Sequence, residues 1–340
     1  MRILPFCLLL FTFCSCKSKE PLKQRNFSEV EIETLLQDSL MNVRAIELNK
    51  DQLKGMSSNG KEVQMFIEDE EAILLETIGS DNSRSCAILE EDFFNLSIGS
   101  PARLYKSGML VYYEDNPKAF YDSMDFWNDQ EGIAIGDPTD DCMSIIITRD
   151  GGETWTKLSC EDLPKAKEGE AAFAASDTNI SIVGDHTWVA TGGKASRILY
   201  SPDKGKTWDV FETPIVQGKE TTGMYSIDFY DENNGFAIGG DYTKPNDTLN
   251  NKIKTTDGGK TWQVVANGKG PGYRSCVQYI PNSSAKELVA IGFKGIDYSS
   301  DSGETWKHLS DEGFYTIRFL NDSVAYAAGK GRISKLTFRE

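Results

Sequence analysis

Thr148-Arg149-Asp150-Gly151-Gly152-Glu153-Thr154-Trp155 is the first of four copies of one octapeptide. The others are Ser201-Pro202-Asp203-Lys204-Gly205-Lys206-Thr207-Trp208, Thr255-Thr256-Asp257-Gly258-Gly259-Lys260-Thr261-Trp262 and Ser299-Ser300-Asp301-Ser302-Gly303-Glu304-Thr305-Trp306. All four read Ser/Thr-x-Asp-x-Gly-x-Thr-Trp. The carboxylate in such a stretch accepts backbone N–H groups inside a tight turn. Glycine supplies the positive φ that the turn needs. Threonine suits the outgoing strand, and tryptophan buries a large ring under the turn. The octapeptide is therefore a hairpin clamp between two strands. Turn chemistry accounts for Asp150, Trp155, Asp203, Trp208, Asp257, Trp262, Asp301 and Trp306 without a ligand or a metal.

Outward from the clamps, a second repeat precedes each one: an apolar run ending in glycine. It occurs as Leu96-Ser97-Ile98-Gly99, Ile133-Ala134-Ile135-Gly136, Val189-Ala190-Thr191-Gly192, Phe236-Ala237-Ile238-Gly239, Val289-Ala290-Ile291-Gly292 and Tyr326-Ala327-Ala328-Gly329. Small residues on a strand allow close approach of neighbouring sheets. The period is about 46 residues, close to the 40–50 of a four-stranded propeller blade. A weaker unit precedes these, with Val43–Leu48 as its first strand. Its clamp is eroded to Phe66-Ile67-Glu68-Asp69-Glu70-Glu71, and that of the second unit is eroded around Tyr105-Lys106-Ser107-Gly108. The expectation is an all-β, seven-bladed propeller over residues 29–340. Its last blade is completed by the N-terminal strand Val30–Leu36, which leaves no open seam. Cross-strand partners around the first clamp have residue numbers totalling about 303. Cys142 and Cys160 meet that within one residue, so they are a disulfide candidate.

The first sixteen residues are separate. Arg2 precedes the apolar run Ile3–Phe13, which has the length of a signal-peptide core rather than of a membrane span. Phe13-Cys14-Ser15-Cys16 then resembles a bacterial lipobox, with Cys16 as the lipidated residue. Residues 1–16 are read as a lipoprotein signal peptide and 17–28 as a polar tether. The anchor is expected to place the protein in the bacterial cell envelope, on the outer membrane facing the periplasm, with the cell surface as the alternative.

The net charge is −16 over 340 residues. Such an acidic surface disfavours nucleic acid and anionic lipid as partners. With only two histidines, His186 and His308, and no CxxC pair, neither a zinc site nor any other metal is expected. No cofactor is expected either: Gly329-Lys330-Gly331 is a loop fragment, not a dinucleotide-binding unit.

The octapeptide matches the Asp-box, or BNR repeat, of sialidase-like propellers. Further stretches carry a closer resemblance: Asn116–Trp127, Gly132–Pro138, Gly169–Ser176, Gly239-Gly240-Asp241-Tyr242 and Pro271-Gly272-Tyr273-Arg274-Ser275. Together they resemble a bacterial family of secreted BNR-repeat propellers related to the photosystem II stability and assembly factor. The resemblance implies a seven-bladed propeller and a binding or assembly role. Sialidases are distinguished by an early Arg-Ile-Pro motif, which is absent from this sequence. A glycoside hydrolase would need two carboxylates, for which Asp122 and Glu170 are the candidates.

Propellers bind ligands where the first strands of their blades converge. Aligning those strands brings Arg44, Arg84, Asp122, Tyr225, Arg274 and Tyr315 to one recurring position, with Glu170 or Phe173 at the fourth blade. The arginines' planar forks suit a carboxylate, phosphate or acidic peptide. The leading reading is a non-catalytic, membrane-anchored monomer that binds a protein or anionic ligand at the channel mouth. The alternative is a glycoside hydrolase.

Overall fold

The computed structural model describes residues 25–69, 71–76 and 82–340; these contain no helix. The strands are β1 (Glu29–Leu48), β2 (Gln52–Ser57), β3 (Lys61–Phe66), β4 (Glu71–Glu76), β5 (Ser83–Leu89), β6 (Asp92–Ser97), β7 (Ala102–Lys106), β8 (Met109–Glu114), β9 (Tyr121–Phe126), β10 (Gly132–Gly136), β11 (Ser144–Thr148), β12 (Thr156–Lys157), β13 (Glu170–Ala171) and β14 (Ile180–Val183). They continue with β15 (His186–Ala190), β16 (Gly192–Gly193), β17 (Arg197–Ser201), β18 (Asp209–Glu212), β19 (Thr222–Phe229), β20 (Gly235–Asp241), β21 (Lys252–Thr255), β22 (Gln263–Val264), β23 (Cys276–Tyr279), β24 (Leu288–Gly292), β25 (Gly295–Ser299), β26 (Lys307–Ser310), β27 (Thr316–Phe319) and β28 (Val324–Arg339).

The innermost strands pack in a closed ring: β1 on β5, then β9, β14, β19, β23 and β27, which returns to β1. The protein is an all-β propeller. Its strands form six hydrogen-bonded sheets, not the seven separate blades expected from the sequence. The reason lies in β1 and β28, each of which takes part in two pairings; β28 turns back at Gly331, which brings the Phe338 amide to the Ser323 carbonyl at 2.8 Å. β1 pairs with β28 from Glu29 onward and with β2 from Val43 to Leu48, so hydrogen bonding runs unbroken through β27-β28-β1-β2-β3-β4. β13-β16-β19-β20-β21-β22 is likewise six-stranded. Closure by the N-terminal strand is as expected, with Val30 opposite Phe338 and Ile32 opposite Leu336.

The polar tether was expected to run to residue 28, but its end is part of the propeller. The Arg25 Nε donates to Glu287 Oε2 (2.7 Å), its Nη1 to the Asp322 carbonyl (2.8 Å), and Phe27 packs on Tyr298 at 5.1 Å. The signal segment, the lipidation candidate Cys16 and the rest of the tether lie outside the described residues.

The clamps have the geometry their sequence dictates. In the first, the Asp150 carboxylate accepts from the Thr154 amide (2.9 Å), Thr154 Oγ1 (2.6 Å) and Thr148 Oγ1 (2.8 Å). Burial raises the Asp150 pKa, but the threonine hydrogen bonds prevail and leave it below the usual value; Asp203, Asp257 and Asp301 behave alike. The tryptophan indoles of three clamps donate back to their own glycine carbonyls. The eroded clamps occupy the corresponding β3–β4 and β7–β8 turns. Ile146 faces Lys157 and Ile147 faces Thr156, the register inferred from sequence. Cys142 and Cys160 are disulfide-bonded with their Cα atoms 5.4 Å apart. Cys86 and Cys276 are free and buried.

The core lies between the sheets. In one cluster Phe94 and Leu96 of β6 meet Tyr121, Met124 and Ala134 of the next sheet and Trp155 of its clamp. Nearer the axis, the inner strands β5, β9, β14, β23 and β27 are sheet edges with backbone donors to satisfy. Neighbouring side chains do this: Ser226 Oγ accepts from the Val277 amide (2.9 Å), Ser181 Oγ from Phe229 (3.0 Å) and Asp228 Oδ2 from Tyr279 (2.6 Å). Asp177 accepts from both Cys86 (2.9 Å) and Met124 (3.2 Å). Serines and aspartates on these strands therefore join one sheet to the next.

Candidate functional site

The inner strands all run the same way along the axis, so residues near their starts meet at one end. There they enclose a cavity of about 510 Å³ lined by Arg44, Arg84, Asp122, Phe173, Tyr225, Tyr273 and Tyr315, with Phe120, Asp137, Glu220, Tyr242 and Phe293 around its rim. Five of the six residues aligned from sequence are in it. The sixth, Arg274, is not. Its Nε donates to Asp297 Oδ2 (2.7 Å) and its Nη1 to the Tyr273 carbonyl (2.8 Å), both contacts buried. Successive side chains in extended backbone point to opposite sides, and here Tyr273 is the one that faces the axis. At the unregistered fourth position Phe173 lines the cavity.

Glu170 does not belong to this site. It is 3% exposed, and its carboxylate is taken up by Arg197 Nη2 (2.6 Å), Thr191 Oγ1 (2.7 Å) and the Lys167 amide (2.8 Å). It serves the β13–β16 region structurally. The carboxyls that accompany Asp122 in the cavity lining are Asp137 and Glu220.

One wall is aromatic. Phe173 and Tyr225 stack with centroids 4.0 Å apart, Tyr273 meets Tyr225 edge-on at 4.8 Å, and Phe293 lies 5.4 Å from Tyr273. Tyr242 and Phe293 are exposed at the rim. The other wall is charged. Arg44 lies over the Tyr315 ring at 4.1 Å, a cation–π contact, and its Nη1 reaches the Ala175 carbonyl at 3.4 Å. Arg44 Nε, Arg84 Nε and both carboxylate oxygens of Asp122 are buried without a hydrogen-bond partner of normal geometry. Burial and the neighbouring Arg44 lower the Arg84 pKa, with Asp122 and Tyr315 opposing. Burial, reinforced by Asp137, pushes the Asp122 carboxyl well above its usual range, with the Ala174 amide and Arg84 opposing. Asp137 is raised by burial to about 6, against the Ala172 amide that bonds it at 2.8 Å.

The aromatic rim escaped the sequence reading because Tyr242 and Phe293 lie in loops, not on first strands. A signal was present: they follow the glycine-ended runs at Gly239 and Gly292, which finish at the same end of the axis. Three residues further along the inner strands, Glu47, Asp125, Asp228 and Arg318 border a second, smaller cavity of about 160 Å³ together with Asp177.

Fold and clamps define the class: a β-propeller carrying BNR/Asp-box repeats, and the BNR/Asp-box repeat itself is matched at residues 146–157. Among solved structures, the chain is similar to "YCF48 bound to D1 peptide" (TM-score 0.63, 11% identity, 93% of this chain and 97% of that one). It is also similar to "Structure of U3-55K" (0.63, 9%, 91% and 98%) and to "Crystal structure of RRP9 WD40 repeats" (0.65, 8%, 92% and 98%). At these identities the likeness is one of fold, that of a β-propeller. No curated protein matches the sequence.

Proposed function

We propose that this is a non-catalytic, membrane-anchored binding protein of the assembly-factor kind, which holds a protein segment or an anionic ligand at the channel mouth. The supporting observation is the state of Arg44 and Arg84: in a chain of net charge −16, both face one cavity with buried, unpartnered Nε atoms. A buried donor left unpaired costs about 1–3 kcal/mol, a penalty that an arriving carboxylate or phosphate removes. The structure of YCF48 is of a propeller bound to a peptide, and a peptide suits this cavity's mixture of aromatic and charged walls. Cys16 supplies the lipid anchor and sets the protein on the periplasmic face of the outer membrane. Counted by inner strands the ring is sevenfold, the long β27–β4 sheet serving as two blades that share β1 and β28.

The test is capture of partners from envelope fractions by the full lipid-anchored protein and by an Arg44→Ala/Arg84→Ala form. Salt-sensitive capture should be lost in the variant while its melting temperature stays unchanged. Equal capture by both proteins removes the site. A glycoside hydrolase is the second reading, supported by Asp122 and Asp137 sharing the cavity with raised pKa values. Turnover in a glycan screen that Asp122→Asn abolishes would establish it in place of the first.

A further inference from the structure

Arg44 and Arg84 are the basic side of the mouth cavity. The acidic side is Asp122, which is fully buried, lines the cavity, and has no hydrogen-bond partner of normal geometry for either oxygen. Asp137 faces the same space from the loop after β10, and Glu220 stands at the rim. Arg84 lies close enough to Asp122 to influence its titration, yet no ion pair joins the arginines of the cavity to its carboxylates among the described residues. Elsewhere in this protein buried opposite charges do pair, as Arg197 does with Glu170 (2.6 Å) and Arg318 with Glu47 (2.6 Å). Unpaired acid and base held apart in one desolvated cavity are complementary to a ligand with both charges, because each end then gains a partner that the apoprotein does not supply.

We propose that the mouth cavity is a bipolar site for a small zwitterion, with the ligand's carboxylate on Arg44 and Arg84 and its ammonium group on Asp122 and Asp137. The Phe173–Tyr225 stack and Tyr273 receive the apolar body between the two charges. The cavity's 510 Å³ is within the usual range for small-molecule sites and accommodates an amino acid or a short peptide. This inference rests on the arginine reading above and adds the second charge to it. A corollary concerns protons. Burial keeps Asp122 protonated well above the usual carboxyl range, with Arg44, Arg84, Asp137, Glu220 and Tyr315 as the titratable groups around it. An ammonium group seated there favours the carboxylate, so binding releases a proton from Asp122 to the buffer.

Isothermal titration of the full chain with free dipeptides containing Phe, Tyr or Leu, in buffers of different ionisation enthalpy, tests this. At least one free dipeptide should bind with proton release. Acetylating its N-terminus should weaken binding at least about tenfold and abolish the effect of Asp122→Asn; amidating its C-terminus should weaken it similarly and abolish the effect of Arg84→Gln. Thermal melts of both variants confirm folding. If the acetylated form binds as tightly as the free one, the zwitterion proposal fails and the arginine reading survives. If the amidated form binds as tightly, both fail. If no free dipeptide binds while arginine-dependent capture of an envelope partner persists, the zwitterion proposal alone is overturned.

Discussion

Gly303→Ala should destabilise this propeller well beyond the cost of its backbone conformation. In each clamp the conserved glycine does two things. It takes a positive φ, and it receives a side chain from the preceding sheet: Gly152 meets Phe94, Gly205 meets Ile147, Gly259 meets Trp188, and Gly303 meets Phe236. At Gly303 the φ is +82°, and an added Cβ would lie 2.2 Å from Phe236 Cε2. Phe236 is fully buried against Val277, Leu288 and Ala290, with Trp306 beyond, so its ring has nowhere to retreat. The left-handed backbone costs alanine about 1–2 kcal/mol, and forced overpacking adds about 1–3 kcal/mol. Gly184 is the control: its φ is +60° and an added Cβ meets nothing within 4 Å, so Gly184→Ala carries the backbone cost alone. At about 2 °C per kcal/mol for a chain of this size, Gly303→Ala should melt about 2–6 °C below Gly184→Ala in differential scanning calorimetry. Equal melting temperatures would refute the claim that clamp glycines are docking points between sheets.

Three further outcomes follow from the same structure. Reducing the Cys142–Cys160 bridge, which closes a separation of 18 residues, should cost about 3 kcal/mol on the loop-entropy model, read as a lower melting temperature in reductant that Cys142→Ser/Cys160→Ser reproduces. Asp125, Asp177 and Asp228 are raised to about 7, 8 and 6, burial being the main cause. Acids raised in the folded state contribute stability that is full below the unfolded value near 4 and lost as pH rises through the folded values. Thermal stability should therefore fall between pH 5 and pH 8.5, and Asp177→Asn should flatten that slope. Arg274→Ala should lower the melting temperature by leaving Asp297 buried without its guanidinium, and should leave binding at the channel mouth unaltered, since this arginine lies outside the cavity.

Much of this was legible in the sequence because its signals are local. The clamps are complete hydrogen-bonded units within eight residues, so their sequence specifies their geometry. That geometry fixed the hairpin register, and through it the cysteine pair. The cavity was legible where strands could be aligned: Arg44, Arg84, Asp122, Tyr225 and Tyr315 share one strand position and meet at one end of the axis. What failed was non-local. Arg274 is one residue from Tyr273, and only the presence of Asp297 on β25 shows which of the two turns inward. Glu170 looked like an available acid until Arg197, from a different strand, was seen to neutralise it. The six-sheet count depends on β1 and β28 running on from one pairing to the next, which no repeat period encodes.

The most direct test of the central claim is site-specific photocrosslinking at the cavity rim. With benzoylphenylalanine replacing Phe293, which is exposed beside Tyr273, irradiation in intact envelopes should give a discrete adduct that Arg44→Ala/Arg84→Ala abolishes; the same residue replacing Leu110 on the outer strand β8 should give none. An adduct from position 110 and none from position 293, or one from 293 indifferent to the arginines, would contradict binding at the channel mouth.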